Sequence, residues 1–104
     1  MHTTSLPPAA WSSEVALFAA ERGVAATLPE VLAMTSRLFA NSPITVGLED
    51  DPETADRVIV FAVDVAGMEE ESLYTAQRQW TARLFQHCPP AHVQAFRLGL
   101  WASA

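Results

Sequence analysis

Apolar residues recur at helical spacing in three parts of this chain, alternate in the manner of strands in two others, and run almost unbroken through residues 57–65, as in a strand that is apolar on both faces. Recurrence every three or four residues is typical of a helix with one buried face, whereas strict alternation is typical of a strand. The predicted helices cover residues 14–22, 28–39 and 68–88, and the predicted strands cover residues 44–48, 57–65 and 92–101.

Residues with special backbone preferences mark the predicted helix ends. Ser12 or Ser13 is placed to cap the first helix, and Gly23 suits the left-handed conformation that closes it. The run TLPE has the spacing of a capping box, in which Thr27 and Glu30 each accept a hydrogen bond from the other's backbone amide. These signals predict two separate N-terminal helices.

The predicted order is α-α-β-β-α-β, which indicates an α+β fold. We expect the first two strands to form a hairpin and the long third helix to return the chain to the third strand. This arrangement gives a three-stranded sheet packed against the long helix, preceded by an N-terminal helical hairpin. Residues 1–10 are predicted to be a flexible N-terminal segment, and residues 11–104 a single domain. The pattern leaves open which strand the third one pairs with.

Alternation places the bulkiest apolar side chains on one face of the sheet, the first face, which suits packing against the long helix. The opposite side, called the second face, is also largely apolar but carries smaller side chains. Its predicted members are Thr45, Gly47, Val58, Val60, Ala62, Asp64, Val93, Ala95, Arg97, Gly99 and Trp101. An ion pair between Asp64 and Arg97 is predicted if their strands are neighbours.

A sheet face with so few polar residues is expected to be covered, either by the N-terminal helices or by another chain. Tryptophan and arginine are enriched among residues that dominate binding energy. The residues predicted to form an interaction surface are Val58, Val60, Asp64, Val93, Arg97 and Trp101. A homodimer would bury this surface symmetrically, and a different protein is the alternative partner.

Charge and composition exclude several classes of partner. Twelve acidic residues against six arginines give a net charge of −6, which disfavours both nucleic acid and an anionic membrane surface as partners. A single cysteine excludes an internal disulfide, and neither a signal peptide nor an apolar membrane span is apparent. We therefore expect a cytoplasmic protein, in the style of small bacterial accessory proteins.

The segment HCPPAH contains two of the three histidines and the cysteine, so His87, Cys88 and His92 are the candidates for a metal or thiol site. A structural zinc site needs four ligands, commonly as two close pairs, and here only one cluster exists. A catalytic cysteine also needs a positioned base and an oxyanion hole, and no segment supplies these. The segment fits the end of a helix, where histidine favours the last turn and proline stops the chain. No cofactor or catalytic residue is predicted.

The run AAERGVAATLPEVL resembles the helix-turn-helix family in having Ala19 four residues before Gly23, followed by Val24 and a second helix. The resemblance covers about twenty residues and implies a DNA-binding regulator. Pro29 departs from it by occupying the first turn of the reading helix, and Arg37 is the only basic residue there. An αα-hairpin packed on a sheet is the other interpretation.

Three functions follow from these observations. The first is a non-enzymatic protein-interaction domain, self-associating through the second face. The second is a small metal- or thiol-dependent enzyme centred on the HCPPAH segment. The third is an antitoxin-like or helix-turn-helix regulator. Residues 49–71 carry nine of the twelve acids, which favours a basic partner at that end of the domain.

Overall fold

The computed structural model describes residues 11–103; the predicted flexible segment 1–10 lies outside them. The described elements are α1 (Ser13–Glu21), α2 (Leu28–Leu38), β1 (Ile44–Asp50), β2 (Arg57–Asp64), α3 (Glu70–His87), α4 (Pro90–Val93) and β3 (Phe96–Trp101). The α+β fold is confirmed, with one additional short helix, α4, inside the segment predicted as the start of the third strand.

The helix ends follow the predicted signals at α1 but not at α2. Ser12 caps α1 by accepting a hydrogen bond from the amide of Val15 at 3.3 Å, and Gly23 closes it at φ +75°. Thr27 already has a helical backbone conformation and makes no side-chain cap. The predicted capping box is therefore wrong. The chain enters α2 through a turn in which the amides of Thr27 and Leu28 both donate to Val24, so Thr27 is never in the extended conformation that a cap requires.

The sheet has the strand order β1-β2-β3, with β1 and β2 antiparallel and β2 and β3 parallel. The predicted hairpin is confirmed, and the strand-three pairing that the sequence left open is with β2. The long helix α3 and the short α4 form the connection between the two parallel strands. This topology leaves β1 and β3 as the two edges of the sheet.

All three long helices contribute to one hydrophobic core on the first face of the sheet. Ile59, Phe61 and Val63 of β2 belong to the same core cluster as the buried residues of the helices. The helical members of this cluster are Val15, Ala19, Leu28, Val31, Met34, Ala76, Trp80 and Leu84. The domain therefore has two layers, helices and sheet, because every helix packs on the same side.

Candidate interaction surface

The strand register defines the second face directly. Val60 lies level with Gly47 on one side and Arg97 on the other, and Ala62 lies level with Thr45 and Gly99. Side chains alternate between the faces, so these residues share one side of the sheet with Val58, Asp64 and Trp101. Five of the six residues predicted for the interaction surface are thus placed together. The exception is Val93.

Val93 does not belong to the sheet. It ends α4, three residues before β3 begins, and it packs against the hydrophobic core as a partly buried residue. The prediction that a strand starts at residue 92 was wrong because Pro90 sits in the first turn of a short helix, where its missing amide costs nothing. Val93 is therefore not part of the interaction surface.

The second face lies outside the hydrophobic core of the described residues. Val58 and Val60 are buried, but neither belongs to the core cluster that joins the helices to the first face. Both lie on the central strand, and Asp51, Asp56 and Arg97 lie beside Val58 around a small pocket. A methyl group of Val60 comes within 3.2 Å of the place that a side chain on Gly99 would occupy. Glycine at that position lets the valine lie flat, so the face is smooth and apolar.

Trp101 is the prominent feature of this surface. It ends β3 level with Asp64, and 51% of its surface is exposed. A large aromatic side chain at the border of an apolar face is the type of residue that anchors protein–protein contacts. On this face the exposed large apolar side chain is Trp101, since Val58 and Val60 are buried.

Arg97 pairs with Asp51 and not with Asp64, so the predicted ion pair was wrong. Strands β2 and β3 are neighbours, but Arg97 lies level with Val60, four residues from Asp64. Its guanidinium instead donates a hydrogen bond to Asp51, just beyond the end of β1. The side chain thus reaches from β3 to the turn that follows β1, at the same end of the sheet. Sequence reasoning missed Asp51, since nothing in a chain separation of 46 residues indicates this contact.

The carboxylate of Asp64 is hydrogen-bonded to the backbone. It accepts hydrogen bonds from the amides of Ala66 at 3.1 Å and Ser103 at 3.2 Å. The amide of Ala66 and then the contact with Ser103 hold the pKa of Asp64 below its usual value. This carboxylate therefore fastens the end of β2 to the chain that follows Trp101. Asp64 thus fixes the backbone next to Trp101 and does not form an ion pair with Arg97.

Asp51 accepts hydrogen bonds from the Glu53 amide at 2.8 Å and from Arg97. The Glu53 amide, and then the Arg97 guanidinium, hold the pKa of this carboxyl below its ordinary value of 3.8. Because the charged form is favoured in the folded state, Asp51 stabilises the fold fully above pH 3.8. That contribution is lost as the pH falls from 3.8 through the lower pKa of the folded state.

An Asp51→Asn variant is expected to be less stable than the native protein at neutral pH and to show a weaker loss of stability in acid. The measurement is the free energy of unfolding in urea between about pH 2 and pH 6. Asp56→Asn, in the same turn and without an ion pair among the described residues, is the matched control. Parallel pH profiles for Asp51→Asn and the native protein would contradict the role assigned to Asp51.

A small pocket of about 260 Å³ opens beside this ion pair. Val58 and Phe96 form part of its lining, together with Arg22 at the end of α1 and the paired Asp51 and Arg97. The pocket lies at the end of the sheet where the side chains of Asp51 and Arg97 meet. Its size is just below the range typical of sites for drug-sized ligands.

The candidate residues of the HCPPAH segment, His87, Cys88 and His92, lie in different surroundings. His87 ends α3 and faces α2, with Nδ1 3.9 Å from a carboxylate oxygen of Glu30, while His92 lies on α4. Cys88 is buried, and burial, followed by the charge of Glu30, raises the pKa of its thiol. A protonated thiol is a poor nucleophile and a poor metal ligand. Among residues 11–103, no group of three histidine, cysteine or acidic residues is arranged to hold a metal ion.

Within the described part of the chain, no helix combines the length and apolarity needed to cross a membrane. Comparison of the chain with protein-family models, curated proteins and solved structures finds no match.

Proposed function

We propose that this protein is a non-enzymatic interaction domain that self-associates through the second face and its Trp101 border. The observation that carries the proposal is an apolar sheet face that lies outside the core formed by the described helices. A half-exposed tryptophan lies at its edge. A largely apolar sheet face that no helix covers is a candidate site of contact with another protein. A second copy of the chain offers a matching apolar face and needs no further component.

The local chemistry supports an interaction role. Val58, Val60 and Ala62 supply a flat apolar centre, and Asp64 and Arg97 already have partners at its border. Arg97 keeps its ion pair with Asp51, and Asp64 keeps its hydrogen bonds from two backbone amides, when a partner covers the face. The buried thiol of Cys88 is poorly suited to catalysis, since burial raises its pKa and its proton is retained at neutral pH.

The proposal predicts that Trp101→Ala weakens self-association by at least about tenfold, because truncating an aromatic anchor of an interface typically costs about 2 kcal/mol or more. Light scattering coupled to size-exclusion chromatography, at protein concentrations from about 10 µM to about 1 mM, measures the dimer fraction. Leu17→Ala is the matched control because Leu17 is also apolar and 67% exposed, but lies on α1. A native protein that remains monomeric over this whole range would contradict self-association.

A further inference from the structure

We infer that α3 carries a second docking surface, which binds an acidic amphipathic helix of a partner protein. The surface is called the outer face and consists of Tyr74, Arg78, Thr81, Ala82 and Phe85. Helix α3 packs on the first face of the sheet, so the outer face and the second face lie on different sides of the domain. The inference therefore stands independently of self-association.

Two large aromatic side chains are exposed on the outer face. Tyr74 is 54% exposed and Phe85 is 57% exposed. They are eleven residues apart, which is about three helical turns, so both rings project from the same side of α3, about 16 Å apart along its axis. These rings offer two anchor points to a partner, because aromatic side chains contribute strongly to binding energy at interfaces.

The surface between the two rings is a shallow hollow lined by Gln77, Arg78, Thr81 and Ala82. Arg78 and Thr81 follow Tyr74 by four and seven residues, which is the spacing of neighbours along one side of a helix. The small side chains of Thr81 and Ala82 leave room for a side chain that enters between the rings. A partner helix fits such a surface by placing an aliphatic residue in the hollow, as ridges pack into grooves.

All five residues of the outer face are exposed, and no described helix covers them. The buried residues of α3 are Ala76, Trp80 and Leu84. At 100° per residue, every member of the outer face lies at least about 100° around the helix from Trp80. Helix α2 lies along the other flank of α3, where Leu38 lines a depression together with Gln79. The outer face is therefore left to solvent or to a partner.

Positive charge is concentrated in this part of an acidic chain. Residues 72–104 hold three of the six arginines and none of the twelve acids. Arg97 is paired with Asp51. Arg78 on the outer face and Arg83 on the flank towards α2 form no ion pair among the described residues. Arginine pairs with a carboxylate through two parallel hydrogen bonds, so the outer face is complementary to an acidic partner.

The acids of α3 itself, Glu70 and Glu71, lie in its first turn. Glu71 precedes Arg78 by seven residues, or about 10 Å along the axis, which is about one Debye length at physiological salt. Glu30 of α2 lies beside His87, at the opposite end of α3. The acidic partner would therefore lie with its carboxylates near Arg78, in the middle of α3, and away from both ends.

An acidic protein is favoured over a nucleic acid as the occupant. Binding to a phosphate backbone takes a basic patch that neutralises several phosphates. The outer face has one arginine, in a chain of net charge −6. Its two aromatic rings instead suit the apolar side chains of a partner helix. A helix with apolar residues along one side and a glutamate at their border matches both features of the outer face.

A titration with a synthetic peptide tests the charge complementarity. The probe is a labelled helical peptide of about 18 residues with leucine along one side and glutamate beside it, and fluorescence anisotropy measures its dissociation constant. Arg78→Glu is expected to weaken binding of this peptide at least about tenfold, because like charges then face each other. Arg37→Glu is the matched control, since Arg37 is an exposed arginine of α2. Failure of the native protein to bind the peptide, or an equal loss in both variants, would overturn the inference.

The double variant Tyr74→Ser, Phe85→Ser tests the aromatic anchors with the same peptide. Both residues are exposed, so the fold should persist, and the affinity is expected to fall at least about tenfold. Leu17→Ser is the control, because Leu17 is an exposed apolar residue of α1. Trp101→Ala should leave the peptide affinity unchanged whatever its effect on self-association, so the two proposals fail separately. Native affinity in the double variant, or displacement of the peptide by a DNA duplex of about 20 base pairs at about 150 mM salt, would overturn the acidic helix as the occupant.

Discussion

Replacing Phe61 by alanine is expected to lower the free energy of unfolding by about 3–5 kcal/mol. Phe61 is fully buried at the centre of β2, with its ring centroid 6.1 Å from that of Phe96 and 6.5 Å from that of Trp80. The substitution removes contacts with the sheet and with α3 together and leaves a cavity that these elements cannot close. A domain of this size has roughly 5–15 kcal/mol of stability in all, so the variant would be close to unfolding.

Urea denaturation followed by circular dichroism measures this change. Leu17→Ala is the matched control, because Leu17 is exposed and its loss should cost less than about 0.5 kcal/mol. The two variants compare the removal of a large apolar side chain inside and outside the core. A cost below about 1 kcal/mol for Phe61→Ala would contradict the packing of the first face against the helices.

The second large effect is expected at a buried hydrogen bond between α2 and α3. The indole Nε1 of Trp80 donates to the hydroxyl of Thr35 at 2.8 Å, and this hydroxyl donates in turn to the carbonyl of Val31 at 2.7 Å. Thr35→Val preserves the shape but leaves the indole N–H buried without an acceptor. The expected cost is about 1–3 kcal/mol.

Two companion variants separate the hydrogen bond from packing. Thr35→Ser removes the methyl group but retains the hydroxyl, so it should preserve the hydrogen bond from Trp80. In Trp80→Phe the donor is absent, so adding Thr35→Val to that background should cost less than it does in the native protein. Fully additive costs in this double-mutant cycle would show that the two side chains are not coupled.

The elements were predictable where the chain carries a local physical signal. The unbroken β-branched run from Val58 to Val60 identifies β2, and Gly23 ends α1 because it readily adopts a positive φ. The signal at residues 27–30 failed because a preceding turn had already placed Thr27 in a helical conformation. Whether a capping motif forms depends on the backbone conformation of the residues that lead into the helix as well as on the spacing of the motif.

The interaction surface was predictable in part for the same reason. Alternation, together with the bulk of the side chains on the first face, assigns Val60, Arg97 and Trp101 to the second face, and the strand register agrees. Alternation gives no register between strands, so the partner of Arg97 could not be read from it. Val93 was misassigned because an apolar residue after a diproline fits a strand and a short helix equally well.

By itself, the sequence determined the α+β class, the faces of the strands and the acidic character of the chain, because these depend on side-chain type and local period. Only the tertiary structure decided that every long helix packs on the first face, that β3 runs parallel to β2 at the sheet edge, and that Arg97 reaches Asp51. The physical reason is that these features arise from contacts between segments distant in the chain. Such contacts depend on which apolar surfaces of the helices and the sheet are buried against each other. No local pattern of residues specifies that.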